Sequence, residues 1–335
     1  MRITTSMVMR NYQNNLYGTL GGLDLSRKQV ETGRRVFSAY EDPSAAARAA
    51  ILERRSARNA EYQNNIQNAQ SWMDEQENVV YKLGQLATTV SEDYSVSAVT
   101  DTAGDIGRDT YAKALRSMQQ SMVQLLNTKY SNSFVLGGNG SVDEAPFELS
   151  EDGKTLLYRG VDVNDPANTA ILDQLAAETS YVDVGFGLEF DNNTGQIVSS
   201  SAFDTALPGI NVIGYGQTAD GTSKNMILLA GQMADLLEAD DFDRDAYEKL
   251  WNQFKEGSDM PQDAITELGT KTQLLTTTMD RLESEAISIQ DQYNNEVGIE
   301  PAEAITGYAW AMYAYSSALK IGTSIIGPSL LDFLS

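Results

Sequence analysis

The sequence predicts a mainly α-helical protein, in which an elongated, discontinuous coiled-coil rod carries an inserted small β-rich domain. Three observations lead to this prediction. Apolar residues recur every three or four positions over long stretches on both sides of residue 137. A helix from Pro43 to about Val90 would be roughly 70 Å long at 1.5 Å per residue, which is typical of a rod. Between residues 137 and 221, short period-two patterns and glycine-rich turns replace the helical spacing.

The predicted elements divide the chain into three parts. The terminal assembly helices take residues 1–41 and 300–335, the helical rod takes 42–136 and 222–299, and the β-rich surface domain takes 137–221. Within the rod, the spacing predicts long helices at about 43–90, 106–130 and 263–295, and shorter ones at 225–237 and 244–254. Within the insert, alternation predicts strands at 154–158 and 181–190, with turns at Asp152-Gly153 and at Asp191 to Gly195.

The C-terminal helix has more apolar surface than one partner helix can cover. Lys320 is the only charge between Ile305 and Leu331, and two neighbouring stripes of the helix are apolar. The uncharged run before Lys320 is shorter than the ~20 residues that a membrane span needs, so we expect burial against protein. The predicted contact residues in this segment are Ile305, Tyr308, Met312, Tyr315, Leu319, Ile326, Leu330, Leu331, Phe333 and Leu334.

The N-terminal helix is the expected partner of this segment. Its apolar face is predicted to consist of Met9, Leu16, Leu20, Leu23 and Val30. Three glycines within the helix each weaken it by about 1 kcal/mol relative to alanine, so it needs packing to be stable. The pair could close the core of one monomer, but the spare apolar stripes favour burial between subunits.

Composition excludes several classes of function. The 335 residues include 24 basic and 47 acidic side chains, for a net charge of −23, and we expect no nucleic-acid partner because the sequence has no basic face. The absence of cysteine and histidine excludes disulfides, thiolate or imidazole metal sites and Ser-His-Asp catalysis. We therefore predict no catalytic residue, no metal site, no cofactor and no enzymatic activity. The first residues lack the apolar core of a conventional signal peptide, so export would need another route.

One short motif resembles a metal site without matching it. Asp241 to Asp245 begins like a calcium-binding loop, but the sixth position is Ala246 instead of glycine and the twelfth is Asn252 instead of glutamate. We interpret Asp243 as the N-cap of the helix that follows. The glycines of 137–140 lack the Gly-Lys-Ser/Thr continuation of a phosphate loop and are interpreted as a turn.

Residues 25–48 resemble the N-terminal signature of the flagellin superfamily. The matching residues are Gly33, Arg34 and Arg35 in the first motif, and Asp42 and Pro43 followed by alanines in the second. The proline is more typical of hook-filament junction proteins than of filament flagellins. Phe134 to Gly138 with Pro146-Phe147, and Ser329 to Leu334 at the other end, point the same way.

The resemblance implies a structural adaptor at the hook-filament junction of the bacterial flagellum. The terminal helices would form an inner tube, the rod an outer tube and the insert the exposed surface. The implied partners are further copies in a ring or helical assembly, the first junction protein, flagellin and an export chaperone. The protein would be secreted by type III export to the extracellular flagellum, with no insertion into a membrane. Two alternatives remain open at this point, namely a filament flagellin and a coiled-coil translocator or tip protein of a non-flagellar type III system.

Overall fold

The computed structural model describes residues 5–100, 104–139, 144–192 and 194–325. The helices are α1 (Thr5–Thr32), α2 (Pro43–Thr88), α3 (Ser95–Thr100), α4 (Gly104–Leu126), α5 (Thr169–Ala176), α6 (Ile210–Ile213), α7 (Met226–Glu238), α8 (Arg244–Gly257), α9 (Met260–Val297) and α10 (Pro301–Ile325). The strands are β1 (Lys129–Tyr130), β2 (Ser133–Phe134), β3 (Phe147–Leu149), β4 (Leu156–Tyr158), β5 (Val161–Asp162), β6 (Tyr181–Val182) and β7 (Phe203–Asp204). The mainly helical fold class with small antiparallel sheets is confirmed.

The chain divides into two compact units. The first, which we call the terminal unit, contains Met1–Ala60 and Glu283–Ser335. The second, which we call the central unit, contains Glu61–Leu282. The domain boundaries at 42, 137, 222 and 300 remain a prediction, because this division follows compactness and not the pattern of the sequence.

In the terminal unit, local sequence signals set the ends of the first two helices. Gly33 ends α1 with a φ of +67°, a left-handed conformation that glycine adopts without a steric penalty. Asp42 caps α2, since its carboxylate accepts a hydrogen bond of 3.0 Å from the Ala45 amide. Pro43 stands at the first position of α2, where its missing N–H costs no hydrogen bond. The predicted helix start is therefore confirmed.

In the central unit, α2 buries a stripe of apolar residues at helical spacing. The buried members are Ile66, Ala69, Met73, Val80, Leu83 and Ala87. Helix α4 packs on α7, and α7 packs on α8, around one continuous core. The helical spacing of apolar residues is confirmed in α2, and each of the five helices predicted for the rod is present. The helix predicted to reach residue 130 is too long, because α4 ends at Leu126 and Lys129–Tyr130 form β1.

A π-helical turn, Thr89–Tyr94, follows α2 and was not predicted from the sequence. The wider turn brings the Val90 carbonyl to both the amide and the hydroxyl of Ser95, and the hydroxyl bond is 2.6 Å long. The Ser91 carbonyl accepts a 2.9 Å hydrogen bond from the Trp251 indole of α8. These side chains satisfy carbonyls that a regular helix would pair internally.

The described residues form three small antiparallel sheets, of which β1-β2 lies just before the insert and β3-β4-β5 and β6-β7 lie within it. In the middle sheet Phe147 pairs with Tyr158, and their rings pack with centroids 4.8 Å apart. Both side chains are fully buried. Gly209 lies against the Phe147 ring so closely that a Cβ would clash with it, and this contact joins the sheet to the start of α6.

The predicted strand at 181–190 is wrong beyond its first two residues. Within 181–190, the chain pairs as a strand at Tyr181 and Val182 and otherwise makes only an isolated bridge from Phe190 to Ile197, while the backbone between them bends at Gly185 and Phe186. Gly185 and Gly187 both have φ near +85°, which an extended strand cannot contain. The period-two pattern that suggested a strand continues through this segment, but the backbone turns twice within it.

Candidate assembly interface

Helices α1 and α10 of the terminal unit pack against each other along their lengths. The α10 residues that lose exposure in this pairing are mostly small or aromatic, namely Ala304, Tyr308, Ala311, Tyr315, Ala318 and Gly322. Tyr12 of α1 lies directly on Gly322, where a Cβ would overlap the tyrosine hydroxyl. The small residues therefore allow the two helices to approach closely.

The pairing leaves large apolar side chains exposed on both helices. On α1 these are Met7, Val8, Tyr17, Leu20, Leu25 and Val30. On α10 they are Ile305, Trp310, Met312, Tyr313, Leu319 and Ile321. Single exposed apolar residues are normal on a soluble protein, but sets of six on each of two paired helices mark an interaction surface. We call this set the terminal apolar surface.

The predicted contact residues fall into three groups. Met9, Leu16, Leu23, Tyr308 and Tyr315 are partly covered within the terminal unit. Leu20, Val30, Ile305, Met312 and Leu319 are exposed. Ile326, Leu330, Leu331, Phe333 and Leu334 lie outside the described residues. Their role in assembly remains a prediction for all three groups.

Two aromatic residues of α10 are exposed within the terminal unit. Trp310 and Tyr313 are 68% and 66% exposed. Their rings form an edge-to-face pair with centroids 6.3 Å apart. Helical spacing alone missed this because α10 is apolar on most of its circumference, so the pattern cannot show which side faces α1.

The first family motif joins the end of α1 to the turn between α9 and α10. Arg34 forms an antiparallel β-bridge with Gly298. The Arg35 amide donates to the Val297 carbonyl at 2.7 Å, and the Ile299 amide donates to the Gly33 carbonyl at 3.0 Å. The motif therefore fixes where α1 and α10 begin their pairing.

Side chains strengthen this anchor. The Arg34 guanidinium donates to the Tyr293 hydroxyl and lies 5.5 Å from the centre of its ring. The same hydroxyl donates to the Glu53 carboxylate at 2.9 Å, which ties α9 to α2. Arg48 of α2 adds an ion pair of 2.8 Å with Glu296.

The second family motif is held by charge as well as by hydrogen bonding. The Ala45 amide lowers the pKa of Asp42 below its ordinary value of 3.8, and Arg35 and Arg48 act in the same direction. The Phe37 amide likewise lowers the pKa of Glu41. Both carboxylates are therefore charged at neutral pH, and that of Glu41 accepts a 2.8 Å hydrogen bond from the Phe37 amide in the loop between α1 and α2.

Two buried glutamines of the central unit were missed by the sequence analysis. Gln76 of α2 donates to the carbonyls of Val135 and Thr205, at 3.3 and 3.2 Å. Gln119 of α4 donates to the carbonyls of Gly153 and Ile227, at 2.8 and 3.0 Å. Each is nearly inaccessible to solvent and links a long helix to the insert. The sequence does carry a signal for such residues, namely a polar side chain at a helix position whose neighbours at the same spacing are all apolar.

The described residues contain little that could support catalysis. They include no group of three or more acidic side chains arranged to hold a metal ion. Burial raises the pKa of Tyr158 and of Tyr247 to about 12, so both phenols stay protonated at neutral pH. Asp243 accepts a 2.9 Å hydrogen bond from the Ala246 amide, which confirms that it is a helix cap. Over residues 5–100, 104–139, 144–192 and 194–325, no helix combines the length and the hydropathy of a bilayer span.

A comparison with protein families matches residues 3–141 to the N-terminal helical region of bacterial flagellin. Flagellar hook-associated protein 3 of Salmonella typhimurium is 24% identical over 345 aligned positions, which cover 99% of both chains. Its Escherichia coli counterpart is 28% identical over 159 positions, which cover 46% of this chain and 48% of that protein.

A solved structure from Vibrio parahaemolyticus, described as a flagellar hook-associated protein, has a similar fold. Its TM-score is 0.61 at 16% sequence identity, and the match covers 77% of this chain and all of the other. At this identity the likeness concerns the fold alone. The family match includes the residues from Gly33 to Pro43 that carry both motifs.

Proposed function

We propose that the chain is a structural subunit of the bacterial flagellum, an adaptor at the hook-filament junction. Residues 3–141 match the N-terminal helical region of bacterial flagellin, and the chain aligns with a hook-associated protein 3 along its length. It would have no enzymatic role. Its partners would be further copies in a ring or helix, the first junction protein, flagellin and an export chaperone. It would reach the extracellular flagellum through type III export.

The observation that carries this proposal is the terminal apolar surface. Twelve large apolar side chains on α1 and α10 remain exposed after the two helices have paired. Burying apolar surface contributes about 25 cal/mol per Å², so several of these side chains together would stabilise a contact between subunits. A structural adaptor needs such a surface, since it must bind its neighbours in order to work.

Charge supports the same division of roles. The terminal unit carries 11 basic and 12 acidic residues, so copies of it can pack together without strong repulsion. The central unit carries 13 basic and 35 acidic residues, which favours exposure to solvent. We infer that assembly occurs through the terminal unit.

Deletion of the gene tests the position in the flagellum. Loss of a junction adaptor should leave hooks without filaments and release flagellin into the medium, whereas loss of a filament flagellin would leave no such flagellin to release. Antibody labelling of isolated flagella should place the protein at the junction. Labelling along the whole filament would contradict the proposal, and so would binding to liposomes in a flotation assay.

A substitution in α10 tests the surface itself. Leu319 is exposed, so Leu319→Asp should leave the helical content unchanged by circular dichroism while it abolishes incorporation into flagella. Leu319→Met is the matched control. It keeps an apolar side chain of similar size, so this variant should still be incorporated and support motility. Full incorporation of Leu319→Asp would refute the role of this surface.

A further inference from the structure

The methionines of this chain differ widely in exposure. Among the residues that the structure describes, Met7 on α1 and Met312 on α10 are 55% and 54% exposed. In the core of the central unit, the methionines that are at most 1% exposed are Met73, Met122, Met226 and Met233. A small oxidant can therefore reach the first two side chains, whereas the four buried ones react only when the structure opens locally.

Methionine sulfur is the most readily oxidised group that this sequence offers. The chain contains 11 methionines and no cysteine, so no thiol competes for an oxidant. Hydrogen peroxide transfers one oxygen atom to the sulfur: the S–O bond forms as the O–O bond breaks, the sulfur is oxidised by two electrons, and the peroxide is reduced to water. The product, methionine sulfoxide, is polar. A sulfoxide reductase returns it to methionine, with release of water and oxidation of two thiols to a disulfide.

Met312 lies at the centre of the part of the terminal apolar surface that α10 provides. Ile305, Met312 and Leu319 are seven residues apart, so they follow one side of the helix with a drift of about 20° per step. The outer two side chains are 58% and 43% exposed, so all three remain accessible after α1 and α10 have paired. Met7, by contrast, is the third residue of α1 and lies at one end of the surface.

A sulfoxide at Met312 would change what this surface can bind. Its oxygen accepts hydrogen bonds, whereas the side chains of Ile305 and Leu319 have no donor to offer. When a neighbouring subunit covers the three side chains, the oxygen loses its water and the apolar groups around it provide no replacement, which costs free energy. Oxidation therefore weakens the contact although every atom of the original side chain is kept.

We propose that Met312 is an oxidation site that controls assembly. In the free chain, peroxide converts it to the sulfoxide, and the modified chain is excluded from the assembly until a reductase restores the thioether. This inference rests on the proposed function, because it requires that other subunits cover the terminal apolar surface. A reciprocal effect follows, since assembly shields Met312 from the oxidant.

Mass spectrometry can measure the reaction at each site. The purified full-length chain is treated with hydrogen peroxide and digested with trypsin. The fragment 282–320 contains Met312 as its only methionine, and the fragment 225–244 contains Met226 and Met233. The first should gain an oxygen atom at least about tenfold faster than the second, because the buried sulfurs react only through local opening. Fragment sequencing distinguishes this oxygen from one on Trp310, which lies in the same fragment.

Binding to hooks tests the consequence for assembly. All chains carry Met7→Leu, which removes the other strongly exposed sulfur, and they are added to hooks isolated from a strain that lacks the gene. Peroxide should lower the bound amount about tenfold, and sulfoxide reductase with a thiol should restore it. Met312→Leu keeps an apolar side chain and should bind equally before and after peroxide. Met279→Leu is the matched control, because it removes a partly buried methionine of the central unit and should stay as sensitive as the parent chain.

The same experiment separates a surface effect from general damage. Equal loss of binding by oxidised Met312→Leu would overturn the inference, and so would a loss that the reductase does not reverse or a fall in helical content on oxidation. Oxidation of Met312 in isolated flagella at the rate of the free chain would also overturn it. If the untreated parent chain does not bind hooks, the proposed function fails and this inference with it. If it binds and the oxidised chain binds equally well, the inference fails alone.

Discussion

Replacing Gln119 by leucine should destabilise the central unit. The side chain is 2% exposed, and its Nε2 donates both of its hydrogens to carbonyls on other elements, Gly153 in the insert and Ile227 in α7. Leucine has a similar volume, so Gln119→Leu removes the two hydrogen bonds without creating a large cavity. The variant therefore isolates the polar link between α4 and the insert.

The expected magnitude follows from what each acceptor loses. The Gly153 carbonyl loses the donor that the structure shows for it, which costs about 1–3 kcal/mol for a buried group. The Ile227 carbonyl still accepts a hydrogen bond within α7, so its loss is nearer the net value of about 0.5–1.5 kcal/mol. Together they predict a decrease of about 1.5–4.5 kcal/mol in the free energy of unfolding.

Urea unfolding followed by tryptophan fluorescence can measure this change. A Trp310→Phe background removes the signal of the terminal unit, so Trp72 and Trp251 report on the central unit alone. Gln120→Leu is the matched control, because Gln120 is the next residue on α4 and is exposed. It should change the free energy by less than about 0.5 kcal/mol. Equal stability of the two leucine variants would refute the reasoning.

Three further predictions concern local contacts. Gly322→Val should displace Tyr12 and lower the melting temperature measured by circular dichroism, and adding Tyr12→Ala should recover part of the loss; strictly additive effects would argue against the contact. Asp243→Ala should cost about 1 kcal/mol in urea unfolding, and Asp243→Asn much less, whereas equal effects would count against capping. The lowered pKa of Asp42 means that its contribution is present above its ordinary value of 3.8 and is lost as pH falls through the folded value. Asp42→Asn should therefore flatten the acid side of the stability profile, and an unchanged profile would contradict this sign.

Helices with a strict apolar period could be predicted from the sequence because burial on one face requires that period. In α2 the apolar residues recur every three or four positions, and those at Ile66, Met73 and Leu83 are buried in the core. The helix ends at Asp42 and Gly33 depend on local interactions in the same way. Asp42 accepts a hydrogen bond from an amide three residues further on, and Gly33 adopts the left-handed conformation that ends α1. The resemblance to the flagellin superfamily, carried by these same motifs, is confirmed by the family match.

The insert was harder to predict because its strands are short and depend on distant partners. Tyr181 and Val182 pair with residues more than twenty positions away, and no pattern within the segment showed where pairing would stop. In α10, the sequence indicated excess apolar surface but not which side would be free. Trp310 became exposed because the side with the smallest residues, and not the most apolar side, packs closest to α1.

In the proposed assembly, the charge distribution favours contacts between apolar residues over ion pairs. Each central unit has a net charge of −22, so adding a copy to an assembly brings further negative charge towards its neighbours. Salt screens exposed charges beyond about 8 Å at physiological ionic strength, but closer groups still repel. The attraction that overcomes this repulsion must come from contacts that salt does not weaken, and burial of the terminal apolar surface is of that kind. Incorporation into flagella should accordingly rise with moderate salt, whereas an assembly held mainly by surface ion pairs would be weakened by it.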